Sequence, residues 1–123
     1  MGAADGMKLL VCGGRDFAGQ ECVFSRLDAI HTKRTIALII EGGANGADAM
    51  AKAWAQARGI HVCSVPALWE KHGKGAGPKR NEAMLSLKPD GVVAFPGGKG
   101  TESMKKLARE AGITVMEVRN VGG

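Results

Sequence analysis

Gly91-Val92-Val93-Ala94-Phe95-Pro96-Gly97-Gly98-Lys99-Gly100-Thr101 is the stretch whose grammar is clearest. Gly91 to Phe95 is short, apolar and β-rich, as a strand buried on both faces would be. From Glu102 to Gly112 the apolar residues return at helical spacing, with Met104, Leu107, Ala108 and Ala111 on one face. A strand therefore ends, a glycine-rich turn follows and a helix begins. With so little side chain in the way, backbone N–H groups at Gly97, Gly98 and Gly100 can approach an anion at the positive end of a helix dipole. Thr101 adds a hydroxyl that either caps the helix or hydrogen-bonds a phosphate oxygen. The plain alternative is a β–α turn that uses glycine only for its backbone angles. The spacing is neither G-x-G-x-x-G nor G-x-x-x-x-G-K-[ST], so the two common nucleotide fingerprints do not match.

The same strand–turn–helix unit recurs along the chain. Lys8 to Cys12 reads as a first strand and Gly13-Gly14-Arg15-Asp16 as a turn. Gly19 to Lys33 reads as a helix, because Val23, Phe24, Leu27, Ile30 and His31 recur at three and four. Thr35 to Ile40 is a second strand and Glu41 to Gly46 a second glycine turn. Ala47 to Arg58 is an alanine-rich helix with Ala47, Met50, Ala51, Trp54 and Ala55 along one face, stopped by Gly59. Ile60 to Val65 is a third strand. Pro66 to Pro78 has no clean period and reads as a loop, followed by a short helix over Lys79 to Leu87. Gly112 ends the last helix, and Ile113 to Val118 is a fifth strand.

Strands that are apolar without alternation, each joined to the next through a helix, mark a parallel sheet covered on both faces. The expected fold class is α/β: a single Rossmann-like three-layer domain over residues 7–118, with a five-stranded, mainly parallel sheet. A flexible lead-in at 1–6 and a frayed tail at 119–123 flank it. In such sheets ligands bind beyond the carboxyl ends of the strands, where strand order reverses. The turns after strands one, two and four all follow carboxyl ends, and together they predict a pocket better than any one of them does.

The chain has 123 residues, 45% of them hydrophobic, which suits one compact domain with one core and excludes disorder. Its longest apolar run, Ile36 to Ile40, is far too short to span a bilayer. Met1 to Gly6 lacks the pattern of a signal peptide, so a cytoplasmic location and no membrane partner are expected. Cys12, Cys22 and Cys63 are odd in number with no C-x-x-C spacing, which favours free thiols over disulfides or zinc. His72 has no second ligand at metal spacing, so no metal and no cofactor are expected. The net charge of +5 favours anionic partners without separating nucleotides from nucleic acid. With five aromatics and no tyrosine, a stacking platform for single strands is poorly supplied.

Three constellations carry chemistry. In Cys12 to Phe17, Arg15 can clamp a phosphate bidentately and Asp16 can accept from a ribose hydroxyl or cap the next helix; the alternative is an Arg–Asp surface pair. In Glu41 to Asp48, Gly42, Gly43 and Gly46 allow close approach, and Ala44 joins them as a ligand-binding candidate. Asp48 would repel a phosphate, so it is expected to hold loop N–H groups or a sugar hydroxyl, or to cap the helix. Glu41 is the best placed acid for proton chemistry, against the alternative of a solvated glutamate. In Lys71 to Glu82, Pro78 suits a first helical position, which puts Arg80 and Asn81 in the first turn. A cation is unfavourable there, so Arg80 suggests an anion to pair with. The lysines of this stretch are equally well explained as a solvated basic loop.

G-G-R-D-F, G-G-A-N-G-A-D-A-M-A, G-A-G-P-K-R-N-E-A-M and F-P-G-G-K-G-T together resemble the YspA, cpYpsA-related branch of the SLOG superfamily. The resemblance runs from about Met7 to Val118 and implies a Rossmann-like fold that binds nucleotides or nucleotide-derived ligands. Two relatives extend it in different directions. The LOG phosphoribohydrolases cut the N-glycosidic bond of nucleoside 5′-monophosphates. Their P-G-G-x-G-T-x-x-E motif is similar to Pro96 to Thr101, and their R-K-x-x-M segment, with its catalytic arginine, to Arg80 to Met84. Their catalytic glutamate falls at Met104, a departure that Glu102 does not repair, being roughly 200° round the helix. The DNA-processing protein DprA binds single-stranded DNA, and its G-x-A-x-G-I-D and R-N segments resemble Gly43 to Asp48 and Arg80-Asn81.

Three functions are therefore expected in order. The first is a module that holds a phosphorylated nucleotide-like ligand on Gly97, Gly98, Gly100 and Thr101 with Arg80 beside it. Gly13 to Asp16 and Gly42 to Asp48 would line the sugar and base side. The second is a nucleotide N-glycosidase, for which Arg80, Asp16, Glu41 and Glu102 are the nameable catalytic candidates. The third, less favoured, is nucleic-acid binding. A homo-oligomer formed through helices, with Trp54 or Trp69 at the interface, is a further expectation.

Overall fold

The apolar stretches at the centre of the sheet become strands that are buried on both sides. The computed structural model describes residues 6–119. It contains β1 (Met7–Cys12), α1 (Gln20–Lys33), β2 (Ile36–Glu41), α2 (Ala47–Ala57), β3 (His61–Ser64), α3 (Trp69–His72), a 3₁₀ turn (Gly73–Gly75), α4 (Ala76–Ser86), β4 (Gly91–Ala94), α5 (Lys99–Glu110) and β5 (Val115–Glu117). The sheet order is β3-β2-β1-β4-β5. Every pairing is parallel, with Leu10 of β1 between Ile40 and Val92. This is the α/β Rossmann-like arrangement, and strand order reverses between β1 and β4.

Successive residues of β1 serve opposite cores. Leu9 and Val11 join Val23 and Leu27 of α1 and Ala51, Trp54 and Ala55 of α2. Leu10 and Cys12 join Met84 of α4 and Met104 and Ala108 of α5 on the other face. A central strand that feeds two apolar layers has no polar face to alternate with. Gly59 and Gly112 follow α2 and α5 with positive φ (69° and 77°), where a side chain would strain the backbone. Among the described residues, no helix is long and apolar enough to cross a membrane.

The segment expected as a loop is mostly folded. Pro66 to Leu68 is irregular, but α3 and the 3₁₀ turn follow, and α4 starts at Ala76 rather than Lys79. One helical turn is too short to show a period, and Gly75 and Gly77 mask the start of α4 by their poor helix propensity. Pro78 is the third residue of α4, not the first; it loses no hydrogen bond, because the first-turn N–H groups have no intrahelical acceptor. Arg80 consequently lies in the second turn, and the expected conflict with the helix dipole does not arise. Helix α5 begins at Lys99, so Gly100 and Thr101 are helical rather than part of the preceding turn. Strands β3 and β5 are shorter than expected by the residues at their ends. Trp54 is fully buried and no candidate for an interface. The lead-in over 1–5 and the tail over 120–123 lie outside the described residues.

Candidate functional site

Three glycine turns meet at the switch point because their backbones bond to one another. Gly14 donates its N–H to the Pro96 carbonyl (2.8 Å), and its own carbonyl accepts the N–H of Ala47 (3.2 Å). The turns after β1, β2 and β4 are thereby one unit. Gly97 is required by close approach: a Cβ there would stand 2.7 Å from the Gly14 nitrogen and collide with the Thr101 hydroxyl.

Above these turns lies a hollow of about 900 Å³, within the range of small-molecule sites, ~300–1,000 Å³. Its walls include Gly13 to Phe17, Ala44, Asp48, Trp69, Arg80, Asn81, Pro96 to Thr101 and Met104. A smaller hollow of about 290 Å³ adjoins it, lined by Gly42, Gly43, Asn45, Pro66 and Ala67. Arg15, Ala44, Trp69 and Arg80 line both. Gly43 and Gly98 therefore stand on neighbouring hollows with Arg80 between them.

The start of α5 forms one wall. Gly98 precedes the helix and no side chain caps it. The first N–H bonded into the helix is that of Glu102, to the Gly98 carbonyl (3.1 Å). The N–H groups of Lys99, Gly100 and Thr101 have no acceptor among the described residues, as expected of a first turn. A Cβ on Gly98 or Gly100 would meet nothing within 4 Å. Neither glycine has a positive φ. Packing thus leaves both positions open, unlike Gly97.

The adjoining wall, on α4, holds Arg80. Its Nη1 donates to the Gly42 carbonyl (2.8 Å) and its Nε to Asn81 Oδ1 (2.9 Å), while Asn81 Nδ2 donates to the Gly100 carbonyl (3.4 Å). These bonds tie α4 to the turn after β2 and to the first turn of α5, and fix the guanidinium plane. The Nη2 end has no partner among the described residues. Arg15, Arg80 and Lys99 bring three cations to the larger hollow.

The acids separate. Asp16 is exposed and lines the larger hollow. Glu41 lines neither hollow; it is buried (1% exposed), accepts the Gly43 N–H (2.5 Å) and the Ser64 hydroxyl, and holds the turn after β2. Glu102 also lines neither and pairs with Lys105 (2.6 Å). Gly46 lies behind the hollow against Gly14 and Arg15. Asp48 accepts the Ala44 N–H (3.2 Å) and stands at the wall, 5% exposed. Burial pushes its carboxyl up to about 6 from 3.8, and the Glu41 charge adds to the rise; the Ala44 and Gly42 N–H groups and Arg80 oppose it. Cys12, at the floor, is pushed up to about 12, first by burial and then by Asp48, so its thiol stays protonated. Among the described residues, no three His, Cys, Asp or Glu side chains gather as a metal site.

Asp48 gives a pH prediction. Between about 4 and 6 the folded protein binds this proton and the unfolded chain releases it, so stability falls as pH rises through that window and levels above it. The loss is on the order of 2–3 kcal/mol. Asp48→Asn keeps an acceptor for Ala44 and removes the charge. It should melt above the parent at pH 7.5, with the gap closing towards pH 4.5 in a thermal scan. A gap independent of pH would assign the titration to another group.

Sequence reasoning missed Trp69, whose stretch looked aperiodic, and Met104 and Lys99, which it read as core and as turn. The only signal for Trp69 was a large aromatic in a basic, glycine-rich segment.

The model of the YspA, cpYpsA-related SLOG family matches residues 7–72. The gene 61 protein of Mycobacterium phage D29 is 35% identical over 119 residues, a match covering 89% of this chain and 94% of that protein. Among solved structures, the phosphoribosylglycinamide formyltransferase (purN) from Coxiella burnetii in complex with CHES is similar with 11% identity and a TM-score of 0.46. That match covers 76% of this chain and 43% of the formyltransferase, so this chain spans less than half its length.

Proposed function

Because the chain belongs to the YspA, cpYpsA-related SLOG family, we propose that it binds a nucleotide or nucleotide-derived phosphorylated ligand in the larger hollow. Family and fold are compatible with nucleotide-related binding. The observation that carries the finer reading is the start of α5. Lys99, Gly100 and Thr101, whose N–H groups have no partner among the described residues, line the same hollow as Gly98, which has open space before it, and Arg80, whose Nη2 end has no partner among them either. A dianionic phosphate satisfies all of these at once, and the helix dipole has the matching sign. The turn after β1, with Arg15 and Asp16, and the turn after β2 then take the sugar and base side. The N-glycosidase reading has less support: of the carboxylates expected as catalytic candidates (Asp16, Glu41 and Glu102) only Asp16 lines the hollow, and Met104 falls where the phosphoribohydrolases have their glutamate.

Thermal shift and calorimetry with nucleoside 5′-monophosphates, the matching nucleosides and single-stranded oligonucleotides test it. Monophosphates should stabilise the protein, nucleosides far less and oligonucleotides not at all. Equal stabilisation by nucleosides would remove the phosphate site. A steeply salt-dependent affinity for oligonucleotides alone would favour nucleic-acid binding. Release of free base on incubation would revive the enzyme.

Gly100 separates folding from binding. Gly100→Ala places a better helix former in the first turn of α5, in open space, and should raise stability by about 0.5–1 kcal/mol. The same methyl should weaken the phosphorylated ligand about tenfold by holding it off the N–H groups. Unchanged affinity would show that no ligand rests over Gly100.

A further inference from the structure

Trp69 opens α3 and is 53% exposed. The ring is not loose on the surface. Its Cη2 lies 3.6 Å from where a Cβ of Gly77 would stand, so the bare first turn of α4 gives the indole a seat. Seated there, it lines both hollows together with Arg15 and Arg80. The other aromatic of the larger hollow, Phe17, is already engaged with Phe95 at 5.8 Å between centroids. Trp69 is thus the aromatic surface left open to an occupant. Beyond it, the smaller hollow offers the apolar Pro66 and Ala67 and, at its edge, the amide of Asn45.

We infer that Trp69 is the platform on which the heteroaromatic base of the ligand stacks, at the entrance of the smaller hollow. This rests on the phosphate reading above: phosphate on the first turn of α5, sugar between Arg15 and Arg80, base on the indole. An indole exposed in a wall lined by guanidinium groups suits a flat ring with polar edges better than an aliphatic group. The ring face meets the indole, and the ring edge meets Asn45 and the turn backbone. The inference excludes ligands without an aromatic ring, such as sugar phosphates, as the preferred occupant.

Wild type, Trp69→Ala and Trp69→Phe are titrated with the four common nucleoside 5′-monophosphates and with ribose 5-phosphate, by calorimetry and by tryptophan emission. Trp54 is fully buried, so quenching of the exposed component reports Trp69. The variants should melt as the parent does, since the ring is half in solvent. Trp69→Ala should weaken the best monophosphate about tenfold or more and leave ribose 5-phosphate within about twofold, with Trp69→Phe in between. The monophosphate should quench the exposed indole in the wild type, and ribose 5-phosphate should not. Equal weakening of both ligands, or of neither, overturns the platform. Ribose 5-phosphate binding the wild type as tightly as the monophosphates keeps the phosphate site and overturns the platform. Binding of neither overturns both.

Discussion

Arg80→Ala is expected to weaken a phosphorylated ligand about 10- to 100-fold while changing the affinity of its dephosphorylated form less than about threefold. The range is that of one charge-assisted hydrogen-bonding group, about 1.5–3 kcal/mol. The selectivity follows from how the guanidinium is held. Nε and Nη1 are spent on Asn81 and Gly42, which orient the plane, and the remaining end is what a phosphate meets. Arg80→Lys should recover only part of the loss, because a point charge cannot both bridge to Gly42 and present a fork. Calorimetry with a nucleoside monophosphate and its nucleoside decides it. Equal loss for both would assign Arg80 to holding the turn after β2 and not to the phosphate.

Trp54→Ala is expected to cost about 3–5 kcal/mol of folding stability, or a fall of about 10–25 °C in melting temperature. Trp54 is fully buried between α1 and the sheet. Its indole N–H donates to Asp28 (2.9 Å), His31 meets it edge-on, and the Arg58 guanidinium lies 5.0 Å over the ring. Removing it leaves a cavity that neighbouring side chains fill only in part. Trp54→Phe should cost much less, since Asp28 is exposed and keeps Arg58 (2.8 Å) when the indole N–H is gone. Thermal unfolding at several protein concentrations is the measurement. A small loss, or one that depends on concentration, would return Trp54 to an interface.

The two tryptophans mark the boundary of what a linear reading reaches. Trp54 recurs with Ala47, Ala51 and Ala55 at helical spacing, so its helix and its face are legible, yet spacing alone does not say whether the face meets the sheet or another molecule. Trp69 lies in one helical turn, too short for any period, and only the seat at Gly77 gives its ring a direction. Among the acids the difference is sharper. Glu41 and Asp48 flank the turn after β2, but the first bonds Ser64 and the second lines the hollow.

Local chemistry was enough for the parallel α/β sheet, since doubly buried strands must be apolar on both sides, and for the glycine turns that end them, since those turns need bare backbone. Strand order, which sets β1 beside β4 and so brings Gly14 to Pro96, is a property of long-range pairing with no local signature. The same holds for the meeting of Arg80 with Gly42 across 38 positions of chain. Which glycines exist for packing and which stand in open space is decided only when another part of the chain arrives beside them, or does not.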